Sequence, residues 1–121
     1  MQGFRELKVW QRSHALAVDV YRLSAAFPPR ERFGLTVQLR RAAVSVPTNI
    51  AEGSKRLRKQ DYARFLNIAE GSIAETEYLL LLSAELGFLS NKHAERLGAE
   101  AAEIARMLNS LRRRVEVRAD P

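Results

Sequence analysis

The sequence predicts an all-α fold, a single domain over residues 1–121 built as an antiparallel up-down four-helix bundle. Three observations predict it. Apolar residues recur at steps of three and four through four separate segments. Proline and glycine cut the chain into pieces of similar size. No stretch shows strand-like alternation, an internal repeat or a low-complexity tract.

The first predicted helix runs from about Glu6 to Ala26. Leu7, Trp10, Ala17 and Tyr21 fall on one helical stripe, and Val9, Leu16, Val20 and Leu23 on its neighbour. Together they form the wide apolar face of a core-facing helix, which makes Trp10 and Tyr21 core residues. Phe27-Pro28-Pro29 ends it, because proline pushes the preceding residue out of helical geometry. The second helix begins near Gly34 and carries Leu35, Leu39, Ala42, Val46 and Ile50 on its seam. Pro47 lies inside that pattern and removes one backbone hydrogen bond, which predicts a kinked helix rather than two helices. Gly53 marks its end. Ser54 to Gln60 reads as a connector. The third helix runs from about Asp61 to Leu86, with stripes through Leu66, Ala69, Ile73 and Leu80 and through Phe65, Ile68, Leu79 and Leu86. Gly87-Phe88 fits a glycine C-cap followed by an apolar residue. Ser90 or Asn91 caps the fourth helix, whose seam is Leu97, Ala101, Ile104, Leu108, Leu111 and Val115. Arg118 to Pro121 reads as a frayed tail.

Composition excludes several classes of function. The chain has no cysteine and two histidines, so a thiolate nucleophile, a disulfide framework and a His-rich metal site are all absent. A di-iron bundle needs Glu-x-x-His pairs, but Gln11 and Ser90 stand three places before His14 and His93. Gly53-Ser54-Lys55 lacks the first glycine of a phosphate-binding loop. Ser45 or Ser72 as a nucleophile would need a base, and nothing in the sequence places His14 beside either. Glu70, Glu75 and Glu77 read as solvated or interface carboxylates. The N-terminus has no apolar leader, and no run is long enough to span a bilayer. The expectation is a cytoplasmic protein that is not an enzyme, with no cofactor, membrane contact or small-molecule substrate.

Charge is the more informative quantity. Twenty Lys+Arg stand against fourteen Asp+Glu, a formal net charge of +6. On an up-down bundle most of that excess gathers at one pole, in Arg5, Lys8 and Arg12, in Lys55, Arg56, Arg58, Lys59 and Arg64, and in Arg112, Arg113, Arg114 and Arg118. Such a pole suits contacts with nucleic-acid phosphates. The same charges also suit a solvated helix end, since cations stabilise helix C-termini, which accounts for Arg112 to Arg114 without any ligand. The Lys55 to Lys59 cluster is the better nucleic-acid candidate because it is not simply a C-terminal turn. Arg40, Arg41, Asn49 and Glu52 sit in or beside the apolar seam of the second helix and need polar partners, from a neighbouring subunit or from the same chain. Apolar stripes on adjacent sides of the third helix, with Gly71, Ser72 and Ala74 on further sides, also point to oligomerisation.

The most specific block is Gln38-Leu39-Arg40-Arg41-Ala42-Ala43-Val44-Ser45-Val46-Pro47-Thr48-Asn49-Ile50-Ala51-Glu52-Gly53. Leu7-Lys8-Val9-Trp10-Gln11, Val20-Tyr21-Arg22-Leu23, Phe27-Pro28 and Glu31-Arg32-Phe33-Gly34-Leu35 precede it. Phe65-Leu66-Asn67-Ile68-Ala69, Gly71-Ser72 and Leu86-Gly87-Phe88-Leu89 follow. From about Phe4 to Leu89 the chain resembles the four-helix-bundle proteins called 23S rRNA intervening-sequence proteins, and the fourth helix matches them in pattern. Some members are encoded within insertions in bacterial 23S rRNA genes. The resemblance implies an antiparallel bundle that assembles into a homopentamer, a ring-like oligomer. That family is similar to the accessory protein of diversity-generating retroelements, a pentameric basic barrel that binds nucleic acid and a reverse transcriptase. No catalytic residues are known for the family, so none carries over. The expected function is therefore a non-enzymatic scaffold for RNA or DNA. The alternative is an accessory subunit for a reverse transcriptase.

Overall fold

The computed structural model describes residues 3–119, with side chains through Val117. The described residues form four α-helices and no strands: α1 Lys8–Ser24, α2 Leu35–Ser54, α3 Lys59–Glu85 and α4 Asn91–Ala119. Short 3-10 turns at Phe4–Glu6 and Pro29–Glu31 precede α1 and α2.

Each boundary has a local cause. α1 stops at Ser24, shortly before Phe27-Pro28-Pro29. The Leu35 amide at the start of α2 donates to Glu31 Oε1 at 3.2 Å, so a carboxylate sits where the helix dipole favours negative charge. α2 is one helix through Pro47. Proline removes the amide that would serve the Ala43 carbonyl. The next two carbonyls each take a side-chain donor, Thr48 Oγ1 to Val44 O and Asn49 Nδ2 to Ser45 O, both at 2.8 Å. α3 starts at Lys59, so the connector is shorter than the sequence predicts and Lys59 is helical. Gly87 has φ +79, the left-handed geometry of a glycine C-cap, and Ser90 Oγ accepts the His93 amide at 3.1 Å. α4 continues to Ala119, beyond the frayed start predicted at Arg118, because no proline interrupts it. Asp120 and Pro121 lie outside the described residues.

The backbone of each helix runs beside its neighbours in the order α1, α2, α3, α4 and back to α1; among the described residues no backbone runs beside its diagonal partner. The core lies on the central axis. Leu39 and Ile50 from α2, Leu66 and Ile73 from α3, and Leu97, Ile104 and Leu108 from α4 are all essentially sealed from water. Val20 joins them from α1. Burying such side chains contributes about 1.5–3 kcal/mol each. α2 and α3 approach closely at Gly53, where a Cβ would lie 2.8 Å from Phe65 Cβ and 3.0 Å from Tyr62 Cδ1. Only glycine fits that crossing, which seats the end of α2 on the start of α3. No described helix is long and apolar enough to cross a membrane.

Polar pairs join the helices outside the core. Arg12 on α1 binds Glu100 on α4, with Nη2 to Oε1 at 2.5 Å and Nε to Oε2 at 2.9 Å. Asp19 meets Arg96 at 3.3 Å on the same seam. The hydrogen bond from Arg12 holds the Glu100 carboxyl below the ordinary glutamate range. A lowered native pKa makes the unfolded chain the better proton binder. Glu100 therefore contributes stability that is fully present above about pH 4.3, the ordinary glutamate value, and is lost as pH falls through the lowered one. The expected result is that urea midpoints of wild type and Glu100→Gln differ at neutral pH and converge in acid.

Candidate functional site

The ends of the helices that carry most cations come together. Gly53 of α2 packs on Tyr62 and Phe65 of α3. Glu70 on α3 accepts from Arg112 Nε on α4, and Glu70 Oε2 also accepts from Asn109 Nδ2 at 3.2 Å. Leu7 and Lys8 at the start of α1 line a depression with Leu111 and Arg114 of α4. Phe4 and Glu52 line a common groove. The start of α1, the end of α2, the start of α3 and the last turns of α4 thus share one end of the molecule.

Within that end the cations differ in what holds them. Arg56 and Arg64 both stack on the Phe65 ring, at 4.6 and 4.8 Å from its centroid. These contacts fix two guanidinium groups over a buried ring while leaving their donors toward solvent. Arg58 faces Asp61 at 3.6 Å. Lys55, Lys59, Arg113 and Arg114 are exposed and have no ion-pair partner among the described residues. Arg112 is different. It is mostly covered and spans Glu70 and Glu116, and these hydrogen bonds, Glu70 first, raise its pKa further. Its charge is largely matched inside the chain.

The four polar residues beside the α2 seam also separate. Arg40 finds its partners in its own chain: Nε donates to Ser24 Oγ at 2.7 Å, Nη2 to the Tyr21 carbonyl at 3.1 Å, and the guanidinium lies 4.6 Å from the Tyr21 ring centroid. Asn49 donates to Ser45, whose Oγ lies 2.8 Å from Ser72 Oγ on α3. Arg41 and Glu52 remain exposed.

Beside Glu52 runs a groove of about 710 Å³ between α1 and α2, lined almost wholly by apolar atoms. Its α1 wall is Trp10, His14, Ala17, Val18, Tyr21 and Arg22, and its α2 wall includes Val44, Pro47, Thr48 and Ala51. Trp10 and His14 stack with ring centroids 4.9 Å apart and planes 4° apart, and Phe4 meets Trp10 edge-on at 4.9 Å. Tyr21 is 48% exposed, not the core residue that its stripe predicts. It lies at the edge of the apolar arc, where helical periodicity does not separate core from rim. Among the described residues no three metal-ligating side chains cluster, and the Ser45 hydroxyl bonds to Ser72 Oγ and to Asn49 Nδ2 rather than to a histidine or carboxylate.

The sequence model for the family described as 23S rRNA-intervening sequence protein matches residues 5–110. The chain belongs to this family. A crystal structure of a protein with unknown function from the S23 ribosomal protein family of Bacteroides thetaiotaomicron is similar. The TM-score is 0.77 at 26% identity, covering 85% of this chain and 96% of that one. No curated protein matches. As an intervening-sequence family member, the chain places its most family-specific block, residues 38–53, on α2, with one side in the core and another on the apolar groove. Sequence reasoning missed the groove as a site. The signal was present, since Trp10, His14, Ala17 and Tyr21 step by four and three along one edge of α1.

Proposed function

We propose that this protein is a non-enzymatic scaffold: an antiparallel up-down bundle, bent at Pro47, whose copies form a ring-like homopentamer holding RNA or another nucleic acid at their basic ends. The observation that carries the nucleic-acid part is the convergence of Lys55, Arg56, Arg58, Lys59 and Arg64 with the Arg113–Arg114 turn at one end. Cations at that density, with few carboxylates among them, attract phosphate by charge and counterion release rather than by reading bases. The order of the pairs Arg12–Glu100 and Asp19–Arg96 supports antiparallel α1 and α4. The Val44 and Ser45 carbonyls, taken up by Thr48 and Asn49, support a bend beside Pro47. Family membership and the open apolar groove support assembly. On this reading Arg41 and Glu52 lie at the subunit boundary, and the site of action is the cytoplasm.

The test is a titration with single-stranded RNA at rising salt. Log K should fall linearly with log salt, by about 0.7 per phosphate neutralised. Absence of binding at low salt, or binding indifferent to salt, would sink the proposal. A partner protein recovered after nuclease treatment, with no RNA affinity, would favour the accessory-subunit role instead.

A further inference from the structure

Two apolar surfaces remain uncovered, and they lie on opposite edges of the bundle. One is the α1–α2 groove. The other runs along the α3–α4 seam, where Tyr78 and Leu81 stand 58% and 55% exposed beside Ala94, Gly98 and Ala99. Because the backbone of α1 runs beside α2 and α4 but not α3, the α1–α2 and α3–α4 seams face away from each other. No single chain can bring them together.

Resting on the ring reading above, we infer that the α3–α4 face of one copy, led by Tyr78 and Leu81, seats in the α1–α2 groove of the next copy. Apolar cover and charge together point to this occupant. From Asn67 to Glu85, α3 carries four glutamates and no Lys or Arg. Glu77 and Glu95 border the α3–α4 face, exposed and without an ion-pair partner among the described residues. The end of the groove away from the basic pole carries Arg22, with Arg41 nearby on α2, both exposed and unpaired among the described residues, whereas the end near the basic pole carries one exposed carboxylate, Glu52. Pairing groove with groove would leave both apolar hollows unfilled and the α3–α4 face bare. Pairing groove with the α3–α4 face covers apolar surface on both and matches charge. The contact is head-to-tail, the type that generates a closed ring when its rotation closes. Arg22 lies at the end of α1 away from the basic pole, and Glu95 lies at the start of α4. The charges therefore match when neighbouring copies point their basic ends the same way.

The experiment uses two full-length variants, Val44→Glu in the groove and Leu81→Glu on the opposite face, with mass read by light scattering and helicity by circular dichroism. Wild type should be an oligomer, and each variant alone a helical monomer of 13.7 kDa. Mixed, they should form a two-chain complex of twice that mass, because each supplies the face the other lacks. A variant that keeps the wild-type mass, or a mixture that stays monomeric, overturns the inference and leaves the ring reading standing. A monomeric wild type overturns the ring itself. If either variant loses its helicity, the exposed positions Thr48→Glu and Tyr78→Glu test the same two faces with the same outcomes.

Discussion

Reversing Lys55, Arg56, Arg58 and Lys59 to glutamate is expected to weaken RNA binding by at least several hundred-fold near 0.1 M salt. The magnitude follows from counterion release: four lost phosphate contacts on a single strand remove about 3 from the slope of log K against log salt. The loss should be broad across RNA sequences, since backbone contacts carry no sequence information. The structure grades the contributions. Lys55 and Lys59 are exposed without a partner, whereas Arg58 shares its charge with Asp61. Arg112→Gln is the control that separates basic charge from available charge. It breaks the bridge to Glu70 and Glu116, so it should lower the urea midpoint while leaving the salt slope nearly unchanged. A fluorescence-anisotropy titration of labelled RNA at four or five salt concentrations gives the affinity and its slope, and urea unfolding followed by circular dichroism gives the midpoint. An unchanged slope for the quadruple variant would place the interface elsewhere.

Leu80→Ala and Leu81→Ala are expected to fail in different ways, although the residues are neighbours in sequence. Leu80 is 1% exposed in the central core, and removing its side chain leaves a cavity costing about 2–5 kcal/mol. That is a large share of a total stability of about 5–15 kcal/mol. Leu81 is 55% exposed on the α3–α4 face. Its truncation should leave the unfolding of a single chain nearly unchanged but weaken assembly, because on the proposed ring its apolar area is covered by the neighbouring copy. Urea denaturation separates the first effect and dilution followed by light scattering the second. Equal loss of chain stability from both changes would mean that the two leucines share one environment.

Much of the architecture is legible in the sequence because it depends on local chemistry. The four helices follow from periodicity, and the Phe27-Pro28-Pro29 break, Gly87 and Ser90 act within a turn or two of themselves. Helix ends are less legible where several residues are acceptable: Lys59 continues α3 toward its N-terminus because nothing at Lys59 or Gln60 prevents it. The site is harder to read because it depends on which face meets which helix. Tyr21 and Ile68 both fit apolar stripes, yet they lie at 48% and 43% exposure. Arg112 resembles Arg113 and Arg114 in sequence, and only the approach of Glu70 from another helix separates them. Arg40 likewise looks like an unmet cation until the end of α1 supplies Ser24 and the Tyr21 carbonyl.

The chain has a single tryptophan, and it stands in the α1–α2 groove rather than at the centre of the bundle. Trp10 is therefore an intrinsic optical reporter confined to one surface. An indole partly open to water emits at longer wavelength than one fully enclosed by apolar groups, so filling the groove should shift its emission toward the blue. RNA arriving at the exposed lysines of the basic end would leave that spectrum largely alone. One cuvette can thus follow two events on the same molecule, with no label attached to the protein.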